Sequence, residues 1–367
     1  MRLRRTLARL AAATAATIGT LAAVEVAVRL LHDPRPAEVL EQRRAFPAFH
    51  PLAEGGLFTR DADDDVRYRL TPGFEMDLDG RRYSVNSLGF RGDEPAAPCN
   101  RDMTRIVLLG DSYAFGLGVD QERMLARRLE TRLRPALGGV EVLNLGVPGY
   151  QTGQELALAE RGAFDLDPEL VILLYFGNDQ VEEAFHYDPV FRVLYGDALR
   201  LPYPLKGVLA RSAAYRWLAR IHIHSLRSRG ELSPLGDRHW PVTRRRLVRL
   251  ARVCAAHEAT LVVANLPLLW SSATLTDPAW TGHADYDRVG ALAEELGVAW
   301  VDLRAVLLAT RRGPADDFLS RLVVSPDPPK DHHLNAAGND LLAVAIADAI
   351  IGARPAGNPQ PLPEGGG

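Results

Sequence analysis

Residues 105–118 read RIVLLGDSYAFGLG, and this stretch decides the fold. A short apolar run, IVLLG at 106–110, stops on a glycine, turns at Asp111-Ser112 and leads to a helical pattern at about 121–136. The same texture recurs further along the chain. VEVLNL (140–145), LVILLYF (170–176), TLVVANL (260–266) and VAWVDL (298–303) are equally short and β-rich, and helical patterns cover roughly 152–163, 243–257, 284–296 and 336–352. Strands alternating with helices at this spacing predict βαβ units and a parallel sheet covered on both faces, an α/β fold.

Composition sets the class around that core. The chain has 367 residues, 47% hydrophobic and 24% charged, which is a folded globular protein and excludes disordered, collagen-like and disulfide-stapled chains. A net charge of −3 excludes nothing in particular but offers no sign of a nucleic-acid partner. Its distribution is uneven: residues 1–9 carry Arg2, Arg4, Arg5 and Arg9 with no acid, and residues 206–252 hold 12 Lys or Arg against Glu231 and Asp237.

The first basic block precedes LAAATAATIGTLAAV (10–24), which is uncharged, and after Glu25 apolar character resumes to about Leu31. Arginines before an apolar run match the positive-inside pattern, so residues 1–31 are expected to be a signal anchor, with Arg29 free to snorkel. The competing readings are a cleaved secretory signal and an ordinary amphipathic helix. As an anchor or a signal, it places the bulk of the chain outside the cytoplasm: membrane-anchored, or secreted if the segment is cleaved. Residues 32–103 read as a linker containing a small hairpin around Asp79-Gly80, and residues 353–367 as a disordered Pro/Gly-rich tail. Cys99 and Cys254 do not define a disulfide from sequence, and Cys254 reads as a small buried hydrophobe.

In open parallel sheets chemistry gathers at the carboxyl ends of the strands. Four segments fall there. Ser112, on a tight strand-to-helix turn, either presents a nucleophilic hydroxyl with its N–H toward an oxyanion or simply caps a helix. Gly149, after the second strand, either aims its N–H at the same space or is a turn glycine. Asn178, after the third, either donates its amide to an oxyanion or closes an Asx turn. Asp331-His332-His333-Leu334-Asn335 stands before the last helix, where His333 could serve as a general base oriented by Asp331, or be a surface residue.

Taken together, GDS at 110–112, NLGVPG at 144–149, GND at 177–179 and DHHLN at 331–335 resemble, in order and spacing, the motifs of the SGNH (GDSL-type) hydrolases, over roughly residues 104–352. The anchor, NSLGFRG (86–92) and GDSYAFG together look like the bacterial membrane-anchored branch. The resemblance implies a three-layer α/β/α, flavodoxin-like fold. It makes Ser112 the nucleophile, His333 the base, and Gly149 N–H and the Asn178 side chain oxyanion donors beside Ser112 N–H. Many relatives carry the acid three residues before the histidine, where this chain has Lys330. Asp331 lies two before it, as in the polysaccharide-acetylating branch. His332 is the competing base.

The expected function is a serine esterase hydrolysing O-acyl, chiefly acetyl, esters of a carbohydrate or small molecule, with the alternatives of a glycan O-acyltransferase or a non-catalytic glycan-binding protein. No cofactor and no metal is called for; His222-Ile-His224 lacks a third ligand nearby. The expected partners are an ester substrate and, through the first helix, a membrane. The second basic block falls in an insertion or lid at about 185–245 and the helix after it. Residues 224–240 look turn-like, and Leu247, Leu250 and Cys254 share a face opposite Arg246, Arg249 and Arg252. That cationic face is either solvated or set against anionic lipid or glycan.

Overall fold

The computed structural model describes residues 2–31, 56–62, 66, 68–78, 80–96, 103–180, 205, 209, 212–228, 240–269, 271–279, 282–326 and 331–352. They divide into two compact units: residues 1–54 with 186–232, and residues 55–185 with 233–367.

In the first unit, helix Arg2–Leu31 contains a 21-residue stretch, Ala11–Leu31, long and apolar enough to cross a membrane. Helix Ala213–Ser228 packs against it. This second helix corrects the turn-like reading of residues 224–228, which continue the helix; residues 229–239 lie outside the described residues, as does most of the expected insertion.

The second unit carries the strands. Two small antiparallel pairs come first: β1 (Phe58–Arg60) with β2 (Tyr68–Leu70), and β3 (Glu75–Leu78) with β4 (Arg81–Ser84), the latter turning at Gly80 with positive φ as the sequence predicts. The central sheet follows, with β5 (Met103–Gly110), β6 (Gly139–Asn144), β7 (Leu170–Phe176), β8 (Thr260–Leu266) and β9 (Ala299–Asp302), all parallel in the order β6-β5-β7-β8-β9. That order reverses direction beside β5, the flavodoxin-like arrangement, and the switch point is where such sheets place their sites. A last antiparallel pair joins β10 (Val323–Ser325) to β11 (Asp331–Leu334).

The apolar runs become strands because alternate residues feed two cores. Ile106, Leu108, Ile172, Leu174, Val262 and Ala264 pack under helices Leu125–Leu137 and Ala336–Gly352. Val107, Leu109, Val171, Leu173 and Val263 face helix Trp240–Ala256, whose Leu247, Leu250, Ala251 and Cys254 are buried. Each strand is sandwiched, so its sequence shows no polar alternation. On that last helix Arg249 pairs with Glu160 and Arg244 with Glu295, both at the exposed surface.

Candidate active site

Strand β5 ends on Gly110 at a φ of 149°, where an added Cβ would lie 2.8 Å from Ala114 Cβ and 2.9 Å from the Leu174 carbonyl oxygen. Only glycine fits so close to the neighbouring strand. Asp111, fully buried, then caps the short helix Ser112–Phe115 by accepting from Tyr113 N–H at 2.9 Å, and Gly116 closes it in a left-handed conformation. The cap is therefore Asp111. Ser112 is the first helical residue, and its side chain turns elsewhere.

It turns to His333. Ser112 Oγ lies 2.8 Å from His333 Nε2, and His333 Nδ1 lies 2.7 Å from Asp331 Oδ1, which also accepts the His333 backbone N–H at 3.0 Å. Asp331 and His333 meet because β11 is a strand: residues two apart share a face, and the one between points to the other. The same periodicity sends the side chain of His332 to the face opposite that of His333. Burial pushes the Asp331 carboxyl up, but the hydrogen bonds and charge of His333 outweigh it and hold the group below the usual carboxylate range. An ionised Asp331 fixes the proton on Nδ1 and leaves Nε2 to accept from the serine hydroxyl. The Tyr113 ring packs 5.0 Å from the imidazole and 4.3 Å from Phe176, and its hydroxyl donates to the His332 carbonyl, so the His333 ring is wedged as well as bonded.

Gly149 and Asn178 stand on the turns that follow β6 and β7, the two strands flanking β5. Gly149 has a φ of 82°. Its loop is anchored on the Ser112 turn: Asn144 donates to the Ala114 carbonyl and accepts from Gly146 N–H, and a Cβ on Gly146 would stand 2.3 Å from Phe115 N. Asn178 lies in the 3₁₀ turn Gly177–Gln180. Thr152, three residues after Gly149, donates its hydroxyl to the Asp179 carbonyl, tying the two turns together. Ser112, His333 and Asp331 are thus bonded to one another, while Gly149 and Asn178 are brought to the same sheet edge.

Two features of the site escape the sequence reading. The first is Arg91 of NSLGFRG, which is 1% exposed and donates to the carbonyls of Phe115, Gly116 and Val119 while lying 4.4 and 4.5 Å from the centres of the Tyr83 and Phe115 rings. Burial lowers its guanidinium to about 10, which leaves it charged at neutral pH. It clamps the loop that ends helix Ser112–Phe115, and the motif's Gly-Phe-Arg-Gly character was its only visible signal.

The second is a group of buried carboxyls below the turns: Asp111, Glu155 and Asp179. Asp179 accepts the Phe176 N–H at 2.7 Å through one oxygen, while its other oxygen and both oxygens of Glu155 have no hydrogen-bond partner. Burial, then the charge of Asp111, pushes Glu155 well up; burial, then Glu155 and Asp111, pushes Asp179 up against its backbone hydrogen bond. Nothing in a helical pattern announces that an acid at 155 is inside.

The sequence matches the model of the GDSL-like lipase/acylhydrolase family over residues 108–341. No curated protein matches the chain. Among solved structures it is similar to a lipase/acylhydrolase from Enterococcus faecalis (17% identity, 68% of this chain and 96% of that one, TM-score 0.41). It is also similar to the psychrotrophic esterase EstA of a Pseudoalteromonas species (14%, 67% and 96%, TM-score 0.39). A third is a two-domain esterase active on acetylated mannans (16%, 71% and 52%, TM-score 0.42).

Proposed function

The chain belongs to the GDSL-like lipase/acylhydrolase family, a hydrolase acting on esters, and we propose that it cleaves O-acyl esters of a carbohydrate or small molecule through Ser112, His333 and Asp331. The observation that carries this reading is the bonded chain from Ser112 Oγ through the His333 ring to Asp331, at the carboxyl edge of the sheet. Small acyl groups on sugar hydroxyls are supported by the two-residue spacing of Asp331 and His333, which resembles the polysaccharide-acetylating branch.

The proposed chemistry runs through these residues. Ser112 Oγ attacks the ester carbonyl carbon as His333 Nε2 takes its proton, and Asp331 stabilises the imidazolium. The tetrahedral oxyanion is met by the N–H groups of Ser112 and Gly149 and by the Asn178 amide. Collapse expels the alcohol, which receives the proton from Nε2. Water, deprotonated by the same nitrogen, then attacks the acyl-enzyme and frees the acid and Ser112. Helix Arg2–Leu31 acts as a retained anchor with the catalytic unit outside the cytoplasm, a reading supported by its length, its apolar surface and the four preceding or early arginines.

The test is turnover of acetyl esters and labelling by a fluorophosphonate, with Ser112→Ala as control, in the presence and absence of a glycan acceptor. The expected result is hydrolysis and labelling that both vanish in the variant. Activity surviving Ser112→Ala refutes the mechanism, and acceptor acetylation outrunning hydrolysis replaces hydrolysis by acyl transfer.

A further inference from the structure

The first unit contains a contact that neither catalysis nor a simple anchor uses. Glu25, inside the apolar helix Arg2–Leu31, accepts hydrogen bonds from Ser212 Oγ at 2.7 Å and from the backbone N–H groups of Ala213 and Ala214 at 2.9 and 3.0 Å. Ser212 immediately precedes helix Ala213–Ser228, and Ala213 and Ala214 begin it. A carboxylate from one helix therefore caps another 188 residues away in sequence, satisfying donors that a helix start leaves unbonded. Arg29, one turn further on, pairs with the same carboxylate, and Val28 is buried at this contact end of the helix.

A carboxylate engaged this way, with an arginine and polar donors around it, belongs at a bilayer interface rather than in hydrocarbon. Counting back from Glu25 at 1.5 Å per residue, a hydrocarbon layer of about 30 Å ends near residue 5. That puts Arg4 and Arg5 at the opposite interface, with Arg9 close enough to snorkel to it. The span set by Glu25 thus has charged residues at both ends, whereas a span centred on residues 11–31 would immerse Glu25 and Arg29.

The capped helix must then start at that interface, and its residue pattern suits lying along it. Leu218 and Ile221 are 56% and 48% exposed, among the more exposed large apolar side chains of the described residues, and share one face with Ala214 and Ser225. At about 100° per residue, positions 216, 220 and 227, all arginine, fall within about 40° of one another and roughly opposite position 218. Residues 206–230 contain no acid at all. An apolar face backed by a cationic one is the pattern of a helix seated between acyl chains and anionic head groups.

We propose that helix Ala213–Ser228 lies in the outer interface of the membrane, its Leu218–Ile221 face immersed in an anionic phospholipid bilayer, and that Glu25 docks it there at the point where the anchor leaves the hydrocarbon. The proposal rests on the retained-anchor reading. It gives the anchor a second, surface-parallel contact and fixes the depth of both helices.

The test uses the full chain in nanodiscs of phosphatidylglycerol and phosphatidylcholine, in a Cys99→Ser background. A polarity-sensitive fluorophore is attached singly at Leu218→Cys, Ile221→Cys, Leu21→Cys in the anchor, or Glu122→Cys on the exposed surface of the catalytic unit. Quenching by acyl-chain nitroxide lipids is compared with quenching by aqueous iodide. The expected result is that labels at 218 and 221 are quenched by lipid at least half as strongly as the label at 21, and are shielded from iodide at least threefold relative to the label at 122. Labels at 218 and 221 that behave like 122 while 21 sees lipid overturn the proposal and leave the anchor standing. A label at 21 that behaves like 122 overturns the anchor, and the proposal with it. Glu25→Ala is expected to reduce lipid quenching at 218 at least twofold, with acetyl-ester turnover as the check of folding; unchanged quenching overturns the docking role of Glu25.

Discussion

His333 Nε2 sits 2.8 Å from Ser112 Oγ although the two residues are 221 positions apart, and the imidazole reaches it from a strand, not from the last helix. Because β11 alternates its faces, one histidine of the adjacent pair addresses the serine and the other does not. His333→Ala is expected to lower kcat/KM for an acetyl ester by about 10³-fold or more, and His332→Ala by less than about tenfold. Steady-state kinetics on the two variants separate the roles; equal losses would remove the strand argument.

Asp331 carries an acid-side prediction. Its folded pKa lies below the ordinary value of about 3.9, so the stabilisation it provides is present above that value and is lost as pH falls through the folded one. Asp331→Asn should lower kcat/KM by about 10²- to 10⁴-fold, because the wrong imidazole tautomer is then favoured, and should flatten the loss of stability below about pH 4. Thermal melts and kinetics across pH 3–8 check both.

Glu155 has the opposite sign. Its folded pKa is raised, so stability is highest below the ordinary carboxylate value near 4.3 and falls as pH rises toward the folded one. Glu155→Gln removes the ionisation and supplies donors to a cluster whose Asp179 oxygen is unbonded. The variant should melt higher than the wild type at pH 8, with the difference shrinking toward pH 4. A melting temperature that tracks the wild type at every pH would show that this carboxyl does not titrate between the folded and unfolded states.

Arg91 predicts a stability loss coupled to catalysis. Arg91→Ala leaves three carbonyls without their donor and two rings without their filling, which should cost about 2–4 kcal/mol by denaturant unfolding and lower kcat through a loosened Ser112 turn. Arg91→Lys should recover less than half of the stability, because an ammonium cannot span the same carbonyls in one plane. Full rescue by lysine would reduce Arg91 to a point charge.

The central fold was readable because apolar content is local. IVLLG, LVILLYF and TLVVANL became β5, β7 and β8, with the expected ends at Gly110, Phe176 and Leu266, and the final helix runs over 336–352 as its pattern predicts. The hairpin turn at Gly80 was legible from its glycine. Residues 224–228 were not, since serine and arginine near a glycine mimic a turn, while the preceding Ala213–Ile223 pattern carries the helix through them.

Polar residues divide differently. Ser112, Gly149, Asn178, Asp331 and His333 could be singled out because each sits beside a strand end or helix start that the apolar pattern marks. Arg91, Glu155, Asp179 and Glu25 could not, because what makes each consequential is a partner or a burial created by residues far away. Sequence alone determined the layered α/β order, the strand ends where chemistry collects and the candidate nucleophile and base. Only the tertiary structure decided which histidine faces the serine, which arginine holds its loop, and which helix the Glu25 carboxylate of the N-terminal helix caps, since strand alternation and long-range hydrogen bonds exist only once the chain has closed on itself.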